Sequence, residues 1–347
     1  MNPIRRIKSS LRSTNEILDK IGAKGWDRFR LRFDIYYCRK VLHANNDEYI
    51  AYKFYNLKNR FRKKFYLVYH QRKYMRFLNQ GGFTLSKYRF YSRIPECFER
   101  QMILAPACGK EMFIKFVKTH NTIVVKPDQG SYGRDIRTLT YTNDEEMSAF
   151  FDSLTEPSIC EEYIIQHNIL NELNPGSVNT VRILTLRKDD SVDVISASLR
   201  IGNNKERIVD NMRKGGIGAQ VDVETGIIIT YGYDYDGNKF IKHPATNCNI
   251  MGLQLPNWDK VIDLVKAAHS KLPQCELLGW DIAMTQTGAD IIEANTAPGP
   301  MLTQFMDLEP KGELLIAKAE ENRKNLIIHG HKRTRKEFKK YIKMLKK

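Results

Sequence analysis

Three oxygen-bearing side chains, Asp281, Glu293 and Asn295, occur near the end of the chain in the run GWDIAMTQTGADIIEANTAPG. Two apolar segments, residues 280–284 and 291–295, flank a threonine–glycine pair, and this pattern predicts a hairpin. Asp281 would then lie opposite the neighbourhood of Glu293, and Glu293 and Asn295 would share a face because they are two residues apart. Two carboxylates and an amide oxygen suit Mg²⁺, which takes its other ligands from water and nucleotide phosphates. The alternative is an ordinary hairpin with a solvated acidic face.

A loop with two glycines follows an apolar strand in NTIVVKPDQGSYGRDIRTLTY. The strand ends at Lys126, and Gly130 and Gly133 lie three residues apart in the loop. Backbone N–H groups of such a loop can approach an anion closely, and Lys126 adds a positive charge at its base. The loop joins two strands and does not begin a helix, so neither the Walker A nor the Rossmann pattern fits. A plain hairpin loop with turn glycines is the alternative.

Five motifs in a fixed order carry a resemblance to a known superfamily. They are VVKPDQGSYG, CEEYI, SVNTVRILTL, DNMRKGGIGA and GWDIAMTQTGADIIEANTAPG, and they fall within residues 85–310. Their order resembles the ATP-grasp superfamily of carboxylate ligases, in which two α+β lobes clasp ATP. The wording NPGSVNTVRILTL, GGIGAQVD and GWDIA is similar to the sugar-transfer associated ATP-grasp group, found with polysaccharide-synthesis systems. The resemblance implies an α+β chain with the ATP-grasp fold and an α-helical, basic N-terminal region.

The resemblance also implies which residues bind the nucleotide. Lys126 is expected to contact phosphate, and Lys87 is the second lysine, preceded by Ser86 where the family often has Asp. The second motif, CEEYI, resembles a hinge between the lobes, whose backbone is expected to bond the adenine edge. The implied nucleotide-binding set is Lys87, Lys126, Gly130, Ser131, Tyr132, Gly133, Glu161, Glu162, Tyr163 and Ile164. After the glycine loop the family usually has small residues, whereas this chain has Arg134 and Asp135.

Two arginines are candidates for binding an acyl phosphate. Arg182 lies in a predicted strand and shares a face with Thr180 and Leu184, which is unusual company for a cation. A guanidinium binds phosphate or carboxylate with a fork of fixed donors. Arg200 ends the next predicted strand, and Asn211 belongs to a glycine-rich motif that resembles a loop beside the acceptor site. For each arginine the alternative is a surface position at a strand edge.

The chemistry implied by the resemblance is an ADP-forming ligase reaction. One or two Mg²⁺ ions, for which Mn²⁺ can substitute, would be held by Asp281, Glu293 and Asn295. ATP would phosphorylate a carboxylate, and an amine or similar nucleophile would displace phosphate to form an amide or related bond. The family context favours an amino acid and a sugar acid as substrates, within the synthesis of a cell-surface polysaccharide such as a capsule.

Length and composition give the domain organisation. At 347 residues the chain has room for two to three domains. No run of eighteen apolar residues occurs, the N-terminal segment lacks the apolar core of a signal peptide, and the six cysteines show no CxxC spacing. We therefore expect a cytoplasmic protein. The predicted regions are a helical basic region 1–82, a first lobe 83–165, a second lobe 166–328 and a basic helix 329–347.

The basic residues are concentrated at the two ends. Residues 1–90 hold 22 Lys and Arg against 6 Asp and Glu, and residues 331–347 hold 9 against 1, so residues 91–330 carry a net charge of −8. In the N-terminal region, aromatic residues alternate with basic ones. Either the aromatics pack inside the protein, or the basic face docks peripherally on an anionic membrane. Two other functions stay open: a basic nucleic-acid-binding protein, and a nucleotide-binding ATP-grasp scaffold without turnover.

Overall fold

The structure is a computed structural model that describes residues 3–79, 86–129, 136–189, 191–203 and 215–328, with side chains from 11 to 325. The chain divides into two compact units, one of residues 1–82 with 299–347 and the other of residues 83–298. The sequence analysis assigned residues 299–328 to the second lobe, whereas the structure groups them with the N-terminal helices. Helices are interspersed with the strands along the second unit and both of its sheets are antiparallel, so the predicted α+β class is confirmed.

The first unit is helical in its described part, as expected for the N-terminal region. Its α-helices are α1 (Pro3–Lys20), α2 (Gly25–Tyr37), α3 (Asn46–Ala51), α4 (Asn59–Arg62), α5 (Val68–Leu78) and, from the end of the chain, α11 (Gly312–Ile328). A π-helical turn, Cys38–Leu42, extends α2, and a 3₁₀ turn covers Phe54–Asn56. Asn45 caps α3, accepting from the Glu48 backbone N–H while the Glu48 carboxylate accepts from the Asn45 N–H.

Aromatic side chains and one amide hold the first unit together. The rings of Tyr52, Phe54 and Phe65 are fully buried, with centroids 4.6 Å apart for Tyr52 and Phe65. The buried Gln304 amide donates to the Tyr66 carbonyl (2.9 Å) and accepts from the Tyr66 backbone N–H (2.9 Å). Because these bonds satisfy a backbone segment distant in sequence, they explain why residues 299–328 belong to this unit.

The second unit contains two antiparallel sheets, each with its own helices. The four-stranded sheet has the order β1-β4-β2-β3, and the seven-stranded sheet has the order β11-β10-β5-β6-β7-β8-β9. The strands of the smaller sheet are β1 (Met102–Ala105), β2 (Thr122–Pro127), β3 (Arg137–Thr140) and β4 (Ser158–Glu162). Those of the larger are β5 (Thr180–Lys188), β6 (Ser191–Ile201), β7 (Ile217–Val221), β8 (Gly232–Tyr233), β9 (Lys239–Phe240), β10 (Leu277–Met284) and β11 (Ala289–Asn295).

Each sheet buries one face under helices. The helices of this unit are α6 (Lys87–Tyr91), α7 (Lys110–His120), α8 (Asp144–Asp152), α9 (Asn168–Leu173) and α10 (Trp258–Ser270). Phe113 and Val117 of α7 pack with Ile123 and Val125 of β2 in the smaller core. In the larger core, apolar positions of α10 repeat every three to four residues, as on one face of a helix, and pack against the sheet.

Candidate functional site

The hairpin of β10 and β11 holds the three residues singled out from the sequence. Asp281 is registered directly opposite Glu293, and Asn295 is opposite Gly279, so the predicted hairpin and its register are confirmed. The pairing shifts by one residue just after Asp281, which is a bulge in the ladder. Asp281 is buried, whereas Glu293 and Asn295 are half-buried. The two strand residues that share a face therefore keep access to solvent beside a buried carboxylate.

Two arginines from neighbouring strands meet at Asp281. Arg182 of β5 donates from Nε to Oδ1 (2.5 Å) and from Nη2 to Oδ2 (2.8 Å), and Arg200 of β6 donates from Nη1 to Oδ2 (2.9 Å). Burial alone would raise the pKa of Asp281, but the two guanidinium groups outweigh it and hold that pKa below its usual range. The structure thus brings Arg182 and Arg200 together, with side chains 14 % and 12 % exposed.

Glu293 is in the opposite electrostatic situation. Burial, followed by repulsion from the nearby Asp281 carboxylate, raises the pKa of Glu293 above its ordinary value. The positive charges of Arg182, Lys126 and Lys87 counteract this rise but do not cancel it. Lys87 and Lys126, at the end of the smaller sheet, are therefore close enough to the Glu293 carboxylate of the larger sheet to affect its pKa.

Lys126 lies near the end of β2 and is buried. Its Nζ donates to Glu161 Oε1 (2.7 Å) and to the Tyr91 hydroxyl (2.9 Å). Burial alone would lower the pKa of Lys126, but the charge and hydrogen bond of Glu161 together with Tyr91 outweigh it, and the net shift is upward. Burial alone would raise the pKa of Glu161, but the positive charges of Lys126 and Arg100 lower it. The Glu161 side chain thus anchors the lysine in addition to any role of its backbone.

Arg100 is a residue that the sequence analysis missed. Its Nε and Nη2 donate to Glu161 Oε2 at 3.1 and 3.0 Å, and its Nη1 donates to Asp290 Oδ2 (2.8 Å) and to the Ile291 carbonyl (2.7 Å). The Tyr91 hydroxyl adds a bond of 2.7 Å to the Ile292 carbonyl. Arg100 and Tyr91 therefore connect the strand of Glu161 to the strand that carries Glu293. In the sequence Arg100 stands before a short apolar strand with no motif around it.

Lys87 begins the short helix α6 beside the end of β2. Its Nζ donates to the Pro127 carbonyl (3.1 Å), and burial lowers the pKa of Lys87. The Ser86 hydroxyl caps the helix by accepting from the Arg89 backbone N–H. Because serine caps helices as well as aspartate does, the departure from the family pattern at position 86 leaves the lysine in place.

The predicted hinge leaves the smaller sheet after β4. Tyr163 is 43 % exposed and Ile164 is half-buried, on irregular backbone after Glu162. The His167 backbone N–H donates to the Met284 carbonyl (2.8 Å), so the far end of this segment is tied to β10. Gly130, Ser131, Tyr132, Gly133 and Asn211, together with Arg134 and Asp135, lie outside the described residues.

The donor set decides how well a divalent cation fits. Within the described residues no group of three His, Cys, Asp or Glu side chains is arranged to hold a metal ion. Glu293 and Asn295 fit as oxygen ligands of Mg²⁺ that leave positions for phosphates and water. Both oxygens of Asp281 already accept from arginines, so this residue binds a cation only through its remaining lone pairs or after an arginine moves.

A comparison with protein families identifies the middle of the chain. Residues 152–310 match the family model described as sugar-transfer associated ATP-grasp. The matched segment contains Arg182, Arg200 and the β10–β11 hairpin. This segment is similar to the sugar-transfer associated ATP-grasp group. This ATP-grasp match stops short of Lys87 and Lys126, whose roles remain predictions. No curated protein sequence matches the chain.

Solved structures give weaker similarities. An ATP-grasp ligase named PsnB, complexed with a minimal precursor, Mg and ADP, shares 13 % identity over 69 % of this chain at a TM-score of 0.41. This chain spans 59 % of the length of the PsnB chain. A D-alanine–D-alanine ligase from Bacillus anthracis shares 14 % identity, with 70 % of this chain and 67 % of that chain covered and a TM-score of 0.40. TM-scores this low do not establish a relationship, so the resemblance rests on the sequence match over residues 152–310.

Proposed function

We propose that this ATP-grasp protein is an ATP- and Mg²⁺-dependent carboxylate ligase that works through an acyl phosphate. One observation supports this most: Glu293, whose pKa is raised, faces the positive charges of Lys87, Lys126 and Arg182. A site with an acidic side for a divalent cation and a basic side for phosphates suits Mg²⁺ and a triphosphate together.

The nucleotide would be held from the side of the smaller sheet. Lys126 and Lys87 would contact phosphate oxygens, and the loop with Gly130, Ser131, Tyr132 and Gly133 would cover the β- and γ-phosphates. The hinge formed by Glu161, Glu162, Tyr163 and Ile164 would bond the adenine edge through its backbone. Exposure of Tyr163 and the absence of regular structure after Glu162 support this role. Two of the three N–H donors of Lys126 bond Glu161 and Tyr91, so a phosphate oxygen would accept from the third or replace one of these partners.

The metal would be bound by Glu293 and Asn295, together with Asp281. When bound, Mg²⁺ would offset the negative charge of the transferring phosphoryl group. The unfavourable proximity of the two carboxylates supports this assignment, because a cation beside them would remove their repulsion. Mn²⁺ would occupy the same oxygen ligands. Titration with metal measures whether one or two ions bind.

The substrate carboxylate would be bound by the arginines. Arg182 and Arg200 keep a fixed orientation because Asp281 accepts from three of their nitrogens. A guanidinium held in this way can turn its other N–H groups toward the acyl phosphate that forms from ATP and the carboxylate. The nucleophile would then displace phosphate, and Asn211 would line the acceptor side.

Arg100 would act as a positioning residue. It does not face the nucleotide in our proposal, but it bonds both Glu161, the partner of Lys126, and the backbone of β11 just before Glu293. A fixed distance between these groups matters because phosphoryl transfer depends on positioning more than on acid–base chemistry.

The substrates follow from the family context. We propose an amino acid or similar amine and a sugar acid, joined in the cytoplasm, where ATP is made, for a cell-surface polysaccharide. Among the described helices, none is both long and apolar enough to span a bilayer. We propose instead a peripheral contact with anionic membrane, where lipid-linked glycans are assembled.

A second candidate is a nucleotide-binding scaffold without turnover. It is favoured by one observation, namely that both oxygens of Asp281 are engaged by arginines. Phosphate and ADP release, measured while amino acids and uronic-acid nucleotides are supplied in pairs, separates the two. Release that requires Mg²⁺ and one such pair supports the ligase, whereas tight nucleotide binding with no release for any pair supports the scaffold.

A further inference from the structure

Helix α2 of the first unit carries aromatic residues on its outer face. Trp26, Phe29, Phe33 and Tyr36 are 76 %, 51 %, 64 % and 64 % exposed. Their spacing of three, four and three residues places them within an arc of about 80° on the helix surface. The inner face of the same helix packs into the core through buried residues such as Ile35. The four exposed aromatics, which we name the aromatic ridge, are therefore not needed to bury this helix.

Three of the four rings of the aromatic ridge contact one another. The centroids of Trp26 and Phe29 are 5.2 Å apart in a stacked arrangement, and those of Phe29 and Phe33 are 5.1 Å apart edge to face. From Trp26 to Tyr36 the ridge is about 15 Å long at the rise of an α-helix. Proteins rarely leave a continuous apolar patch of this kind in water unless it contacts a partner.

Basic side chains border the aromatic ridge on both sides. On a helical projection, Arg30 and Arg32 each lie about 40° beyond one edge of the ridge. Lys24 precedes the helix and Lys40 follows it, and all four basic residues are exposed. Asp27 lies farther round the helix and pairs with Arg30 at 3.4 Å. The surface that surrounds the apolar ridge is thus positively charged.

We infer that the aromatic ridge docks on an anionic lipid surface, with its rings at the level of the headgroups and the flanking Arg and Lys side chains on lipid phosphates. Aromatic residues between basic ones suit such a boundary. Single-stranded nucleic acid is the competing partner, but bases stack on open ring faces. Trp26 and Phe29 stack on each other and so occupy one face of each ring, which favours a lipid surface. A second copy of this face is disfavoured because its basic borders would repel. This inference deepens the membrane contact proposed above and involves no nucleotide-binding residue.

The tryptophans of this chain make the inference directly measurable. Of the three, Trp258 and Trp280 are 5 % and 0 % exposed, so Trp26 alone is accessible. We expect vesicles of phosphatidylcholine with phosphatidylglycerol to shift the emission of the full chain to shorter wavelength, and brominated lipids to quench it. Pure phosphatidylcholine should bind much more weakly, and salt should weaken binding to the anionic vesicles.

Variants then locate the contact. Phe29→Ser with Phe33→Ser keeps the reporter and should lower the partition coefficient by roughly tenfold or more, because two apolar rings are lost. Ile241→Ser with Met251→Ser, at exposed apolar positions of the other unit (62 % and 47 %), is the matched control and should bind like the wild type. Lys24→Gln with Lys40→Gln should lower binding to anionic vesicles by about tenfold.

Three outcomes would overturn the inference. They are an unchanged Trp26 emission with anionic vesicles, wild-type partition of the Phe29→Ser, Phe33→Ser variant, and a shift produced by a single-stranded oligonucleotide and not by vesicles. Mg²⁺-dependent phosphate release, measured on the same proteins without lipid, keeps the two proposals apart. Vesicle binding can fail while release persists, which rejects the docking surface alone, and release can fail while vesicle binding persists, which rejects the ligase alone.

Discussion

Arg100 and Asp281 each lie at the centre of a set of buried charges, and the two sets differ in how those charges are paired. In the Arg100 set (Arg100, Glu161, Lys126 and Asp290) every carboxylate receives a cation within 3.0 Å. In the Asp281 set (Asp281, Arg182, Arg200 and Glu293) one carboxylate receives both cations. Glu293 forms no ion pair with any described residue, and its pKa is raised.

The difference indicates where a ligand belongs. A buried ion-pair set in which every carboxylate has a cation fixes the positions of its strands, and adding another ion would disturb it. In the Arg100 set, Asp290 Oδ1 has no hydrogen-bond partner among the described residues. The Asp281 set is satisfied on one side only, because the carboxylate of Glu293 faces Asp281 across the ladder. A divalent cation with its phosphates would complete this second set. We therefore expect the first set to orient the strands and the second set to bind the ligand.

The largest expected effect is on turnover in the Asp281 set. Glu293→Gln removes the carboxylate that has no ion-pair partner among the described residues. We expect the turnover rate to fall about a thousandfold, because transition-state stabilisation by the metal is lost. The free energy of unfolding should stay the same or rise, because a carboxylate with a raised pKa is destabilised by its surroundings. Phosphate release and urea denaturation measure the two quantities, and near-wild-type turnover would contradict the assigned role.

The next effect should be on stability in the Arg100 set. Arg100→Met leaves Glu161 and Asp290 without their shared cation, and we expect the free energy of unfolding to fall by about 3–5 kcal/mol. Asp290→Asn combined with Arg100→Met should recover part of the loss, because one uncompensated charge is removed. Urea denaturation of the single and double variants gives the coupling energy. A loss below about 1 kcal/mol would contradict the view that Arg100 compensates the buried charges of Glu161 and Asp290.

Lys126 belongs structurally to the Arg100 set but is proposed to contact the nucleotide. Lys126→Met keeps the length of the side chain and removes its charge, so we expect ATP affinity to fall roughly tenfold to a hundredfold, as for loss of a charged hydrogen bond. Lys110→Met, at a surface lysine of the same lobe paired with Asp152, is the control. ATP titration measures both variants, and equal affinities for the two would remove Lys126 from the nucleotide site.

The smallest effect concerns pH and separates the two acidic groups. Because the pKa of Glu293 is raised, protons compete with Mg²⁺ for it already above the ordinary Glu range. We expect Mg²⁺ affinity, measured by titration in the presence of ATP, to weaken as pH falls through that raised value. The pKa of Asp281 is depressed, so its contribution to stability is present above the unfolded-state value and is lost only at lower pH. Mg²⁺ affinity that is flat down to the ordinary Glu range would contradict this order.

Local patterns in the sequence were enough to predict part of this site. A two-residue period and a turn glycine place Asp281 opposite Glu293. The pairing of both arginines with Asp281 was not predicted, because we considered that carboxylate only as a metal ligand.

Contacts between distant parts of the chain were beyond such patterns. Arg100 bonds the Ile291 carbonyl across 191 positions, and Gln304 bonds the Tyr66 carbonyl across 238. Neither residue belongs to a periodic pattern or a motif, so only the folded chain reveals them. The sequence also left open whether the N-terminal aromatics are buried. In the structure Tyr52 and Phe65 are buried, whereas Trp26 and Phe33 are exposed, because helix α2 needs only its inner face for packing.

Calorimetric titration of ATP, with Mg²⁺ and with chelator, into the wild type and the Glu293→Gln variant tests the central proposal most directly. We expect the wild type to bind ATP tightly only with Mg²⁺, and the variant to bind it weakly whether or not Mg²⁺ is present. Equal ATP affinity in all four titrations, or no binding to the wild type, would contradict a magnesium–nucleotide site at the β10–β11 hairpin.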